Sequence, residues 1–163
     1  MALLGRARTA TGAGVLATLI LVLAFGNQAF TEWVQRHTNG NTVWGWFLRV
    51  LSWPSWAFGP DNDSPGATRD LLARDLRALL LLVFVAVVLS LSAKSAVGGA
   101  AFILGWAALI LGAALAAFLT LFITTNATLL GAFASAAAGS AYGLFAGWIV
   151  GIAVAAGRGG GSP

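Results

Sequence analysis

The chain contains no cysteine. That excludes disulfides, thiolate metal centres, iron–sulfur clusters and cysteine nucleophiles. Its one histidine is His37, so neither bis-histidine haem ligation nor a multi-histidine metal site can be built within one chain. Charge is scarce: 9% of residues are charged, against about 25% in an ordinary soluble domain. All five acids (Glu32, Asp61, Asp63, Asp70, Asp75) fall between the first and second apolar runs. Proton relays and ion-coupled pathways need ionisable groups inside the membrane, so a proton-driven transporter is not expected.

What is abundant is apolar surface, 59% of residues, gathered in four long runs. The class is therefore an all-α integral membrane protein, because backbone groups in a bilayer must be satisfied internally. A β-barrel would need alternating ten-residue segments, and Leu79–Val88 does not alternate. The expected architecture is four transmembrane helices plus a short tryptophan-rich interfacial helix between the first and second spans. A net charge of +4 does not point to nucleic acid, because the basic residues are few and scattered along membrane flanks. They act as topology signals.

Taken in order, 1–10 is a basic N-terminal segment with Arg6 and Arg8, and 11–30 is the first span. A charged start followed by an apolar core also describes a secretory signal peptide. Gly26-Asn27-Gln28-Ala29 offers no clean small-x-small cleavage site, which favours an uncleaved span. Residues 31–77 form an extracytoplasmic loop. Within it Thr31–Thr38 can continue as helix, Asn39-Gly40-Asn41 is a turn, and Thr42–Trp53 is a short apolar helix that Pro54 stops. Twelve residues are too few to span. Trp33, Trp44, Trp46, Trp53 and Trp56 cluster in this loop, and tryptophan suits the headgroup level. They are expected to mark the membrane interface.

Ser64-Pro65 can open the next helix, with Ser as N-cap and Pro as first residue. The second span occupies 78–95, after an amphipathic start carrying Asp70 and Arg74. The third, 98–123, has small residues at Ala101, Gly105, Ala108, Gly112 and Ala116. The short link that follows makes it an antiparallel hairpin with the fourth span, 129–156. Residues 157–163 read as a flexible tail.

The fourth span holds the strongest pattern. Gly131, Ser135, Gly139, Gly143, Gly147 and Gly151 recur every fourth residue, a glycine zipper. Positions i and i+4 share a helix face, and bare glycine lets a second backbone come close. Four residues exceed one 3.6-residue turn, so the strip winds around the helix. Two neighbours are expected to share it, one within the chain, with room for one from another copy.

Arg6 and Arg8 favour a cytoplasmic N-terminus, which puts the C-terminus inside and the tryptophan loop outside. Arginine-rich, alanine- and glycine-rich composition suits a bacterial plasma (inner) membrane. The remaining polar groupings carry little chemistry. Glu32, Arg36 and His37 read as a solvated helix face. Asp61-x-Asp63 supplies far fewer oxygens than the six to eight calcium takes. No phosphate-cradling loop, Ser-His-acid set, metal site or cofactor motif is present, and no catalytic residue is assigned. The function expected is that of a non-enzymatic accessory or scaffold subunit of a membrane or envelope complex. Its partners are the lipid bilayer and a protein, or further copies, engaged through the small-residue faces. The alternative is a homo-oligomeric pore or small-solute permease built on the zipper.

Overall fold

A computed structural model describes residues 2–60, 64–92, 99–124 and 126–159, with side chains described from 9 to 158. Within it the chain forms α1 (Ala2–Phe25), α2 (Gln28–His37), α3 (Val43–Leu51), α4 (Ala67–Ser92), α5 (Gly99–Leu121) and α6 (Leu129–Gly159). No strand occurs among the described residues. Helices α4, α5 and α6 are each long and apolar enough to cross a membrane. A fourth crossing exists only if α1 and α2, bent by 53° at their junction, count as one broken span.

The bend has a local cause. Asn27 caps α2, its side chain accepting a hydrogen bond from the Phe30 N–H at 2.9 Å. Its amide also donates to the Leu23 and Ala24 carbonyls at the end of α1. Both helix ends are thereby satisfied at one residue. Gly26 sits beneath the returning loop: a Cβ there would run into the Pro54 carbonyl, and the Gly26 carbonyl accepts from the Trp56 N–H at 2.8 Å. The first span expected over 11–30 therefore stops at Phe25, and the helix after it takes a new direction.

Other boundaries move for similar reasons. Thr42 caps α3 through the Gly45 N–H at 3.1 Å. The helix ends at Leu51, three residues before Pro54, in a turn closed by Trp53 N–H to Val50 O. Ser64 and Pro65 do not begin α4. They form a turn in which the Ala67 N–H reaches the Ser64 carbonyl at 3.1 Å, and Gly66 takes a positive φ of 96°. A left-handed backbone there suits glycine, and the helix starts just after it. At the other end α6 continues through Gly157, Arg158 and Gly159, where a tail is expected. Gly157 lies against Thr9, Ala10 and Ala13 of α1, so packing holds the extra turn.

Helix α1 packs against α4 and α6, and α5 packs against the same two. The four long helices therefore make a ring, with α5 and α6 its closest pair. Leu81, Val85 and Leu89 of α4, Leu109 of α5, and Tyr142, Val150 and Val154 of α6 are fully buried at its centre. Leu79, Leu91, Ile103, Leu130, Phe133 and Ile152 are exposed on the outside. Helices apolar on both faces are what a lipid surround demands. The α2–α3 segment lies across the bundle, α3 packing on α6.

Candidate functional site

The glycines of α6 are where its neighbour comes nearest. A Cβ on Gly139 would strike the Ala113 carbonyl, one on Gly143 the Ile110 Cα, and one on Gly147 the Trp106 ring. On Gly151 it would lie 2.7 Å from the Phe102 carbonyl, and one on Gly105 would lie 2.8 Å from the Gly151 Cα. As α6 numbers rise by four, their α5 partners fall by three or four. The register is antiparallel, and both contact lines drift around their helices together. Helix α5 thus lies against all four central glycines, and the Trp53 ring also reaches Gly139. Gly112 faces Val85 and Phe84 of α4, and Gly131 meets Leu121 and the Thr128 hydroxyl. Ser135 is half-buried and lines a cavity described below.

Expected together as interface anchors, the five tryptophans divide. Trp33, Trp44 and Trp46 are exposed. Trp46 also meets Phe145 of α6 edge-on, with ring centroids 5.0 Å apart. Trp53 and Trp56 turn inward instead. The Trp56 indole N–H donates to the Val22 carbonyl at 3.1 Å. Trp53 stacks on Tyr142 at 5.3 Å, with the Arg77 guanidinium 4.9 Å from its ring. The Trp56 indole N–H and the Trp53 ring thus have partners within the bundle.

Glu32, Arg36 and His37 lie together on α2. Glu32 and Arg36 make an exposed i,i+4 ion pair at 2.8 Å. His37 stacks on Trp33 and its Nδ1 lies 3.0 Å from the Trp33 carbonyl. Asp61 and Asp63 lie outside the described residues, and among those described no three His, Asp or Glu side chains converge.

The most site-like feature lies at the end of the bundle where α5 turns into α6. A partly open cavity of about 310 Å³ is bounded by Asp70, Arg74 and Arg77 of α4, Ala117 and Thr120 of α5, and Ser135 of α6. The Thr120 hydroxyl donates to the Ala116 carbonyl at 2.8 Å. The Ser135 hydroxyl makes no hydrogen bond among the described residues. Arg77 reaches Ser55 Oγ with one terminal nitrogen at 3.4 Å, while its Nε is sealed from solvent without a hydrogen-bond partner. Asp75 is turned away from this cavity, accepting the Ala57 N–H at 3.0 Å. A second groove, between α1 and α4, is walled by Leu19, Val22, Leu23, Phe58, Leu79 and Leu82 and is almost wholly apolar.

No known protein family, curated protein or solved structure matches the chain. The site has to be read from its own residues.

The cavity was not among the features expected from sequence, although a signal for it exists. The buried stripe of α4 runs Leu89, Val85, Leu81, Ala78. Stepping back from Leu81 at helical spacing reaches the partly buried Arg77 and Arg74 and then the exposed Asp70, so the face that carries the core stripe runs on into charge.

Proposed function

We propose that this chain is a non-enzymatic, four-span protein of a bacterial plasma membrane, serving as an accessory or scaffold subunit of a membrane or envelope complex. Both termini would be cytoplasmic, with the α2–α3 segment on the opposite side. In this reading α1 and α2 act as one broken span, the glycine zipper of α6 is an internal clamp, and the partner is another integral membrane protein. The observation that carries it is the pairing of a rigid interior with an exposed aromatic shoulder. Gly139, Gly143, Gly147 and Gly151 all lie against α5 of the same chain, while Trp44 and Trp46 beside Phe145 and Trp148 stay exposed. Aromatic side chains at the rim of a membrane protein supply large contact area at low entropic cost.

The homo-oligomeric pore finds less to build on. Its interface would need the glycine strip, whose central positions are covered by α5. Replacing Trp44 or Trp148 with a photoreactive amino acid and illuminating intact membranes tests the reading. One discrete adduct mass shared by both positions, mapped to one membrane protein, is the expected result. Adducts to lipid alone would overturn it.

A further inference from the structure

The groove between α1 and α4 is apolar along its walls and bridged at one end. Leu19, Val22 and Leu23 of α1 face Ala78, Leu79 and Leu82 of α4 across it. Leu16, Ile20 and Val83 on the same two helices are exposed, so the groove adjoins the outer apolar surface of the ring. Its volume is about 310 Å³, against ~150 Å³ for an apolar cavity that stays dry and takes a benzene ring. From Asp75 to Leu82 it follows α4 for about 10 Å, at 1.5 Å per residue. Segment 56–58 joins the two helices at the Asp75 end. The Trp56 indole N–H donates to the Val22 carbonyl of α1, and the Ala57 N–H donates to the Asp75 carboxylate of α4. Asp75 is the one charged side chain on these walls. It is half-buried, and Ala57 is its only hydrogen-bond partner among the described residues. An ionised carboxylate has room for more donors than one. Arg74 and Arg77 line the cavity on the other side of α4.

We propose that this groove holds one acyl chain of a phospholipid whose headgroup carries an ammonium, with that ammonium at Asp75. The apolar walls take the chain, and the carboxylate marks where the head must sit. Two rings stand at the same end, Trp56 and Phe58 edge to face with centroids 5.2 Å apart. Aromatic faces attract cations, and Phe58 is exposed enough to meet one. An anionic headgroup would face like charge there and gain neither contact. The inference rests on the broken-span reading of α1 and α2, which puts α1 in lipid, but not on the accessory-subunit role.

The test is native mass spectrometry of the full chain released from neutral detergent. Phosphatidylethanolamine and phosphatidylglycerol with identical acyl chains are titrated separately. One saturable adduct is expected, the ethanolamine lipid binding about fivefold more tightly, the scale of one partly screened ion pair. Asp75→Asn keeps an acceptor for the Ala57 N–H and removes the charge, so it should bind the two lipids alike. Leu79→Trp fills the groove from an exposed position and should weaken both. Ile20→Cys, on the exposed side of α1, reports the span reading separately: in bilayers it should resist an impermeant maleimide. With Ile20→Cys protected, three results overturn the proposal alone: no saturable adduct, equal affinity of the parent for both lipids, or a preference that survives Asp75→Asn. A lipid-free dimer lost in Leu79→Trp would assign the groove to a second copy and also overturn it. A reactive Ile20→Cys overturns the span reading and the proposal together.

Discussion

At the level of single residues, the contrast between two glycines measures what close approach is worth. Gly143 has the backbone of Ile110 where a Cβ would go, whereas Gly12 has nothing within 4 Å. Backbone cannot rotate away as a side chain can, so Gly143→Leu must push α5 and α6 apart. Overpacking a filled interior costs about 1–3 kcal/mol, and sometimes more. Gly12→Ala meets open space inside α1 and should not destabilise; alanine's better helix propensity favours it by up to about 1 kcal/mol. Denaturation followed by tryptophan fluorescence in detergent distinguishes the two. Equal effects would mean that the α5–α6 contact is looser than its geometry. The exposed pair Glu32–Arg36 is the opposite case. Solvent screens it, and its 2.8 Å separation carries little stability.

The same scale separates what could be read from residues in advance. The four-residue recurrence from Gly139 to Gly151 is a one-dimensional pattern with a direct geometric meaning, so a close helix contact was legible. Arg77 was not. Its role comes from Trp53, 24 positions earlier, and from Ser55 and the cavity wall of α6. Helical periodicity says which side of α4 it is on, but not what stands opposite.

At the level of elements, the junction between α1 and α2 is decided by two neighbouring residues. Asn27 accepts from Phe30 and donates to Leu23 and Ala24, and Gly26 admits the Pro54–Trp56 backbone. Asn27→Ala removes the cap and both amide bonds. A cap alone is worth about 1 kcal/mol, so a loss of that order is expected. Amide exchange should accelerate at Phe30 and Thr31 before it does in the body of α1. Unchanged exchange there would mean that the bend is held by the loop alone. Apolar run lengths placed α5 and α6 to within a few residues, but α1 and α4 begin at Ala2 and Ala67, well before the expected 11 and 78. They missed the bend because Gly26-Asn27-Gln28 reads as a weak interruption, and its force comes from a loop that returns about thirty residues later.

For the whole molecule, the ring of α1, α4, α5 and α6 gives the orientation proposal a direct check. The chain has no native cysteine, so single introduced cysteines can be labelled from either side without background. Phe58 is 91% exposed, and Phe58→Cys should react with an impermeant maleimide added outside cells. Ser95→Cys, in the link after α4, should react only after the membrane is opened. Reversed accessibility would invert the protein and assign the aromatic shoulder to cytoplasmic partners. Equal external labelling of both would mean that α4 does not cross.

Sequence by itself determined the solvent and the class. Scarce charge and long apolar runs without a barrel strand's alternation point to membrane helices, because in lipid only helices and closed barrels satisfy their own backbone hydrogen bonds. It also determined that α6 carries a bare face. Tertiary structure decided what that face meets, how α1 ends, which tryptophans turn inward, and that Asp70, Arg74 and Arg77 line one cavity with Ser135 of α6. Those outcomes depend on groups far apart in the chain, and distance along a sequence carries no information about which of them will share a space once the helices pack.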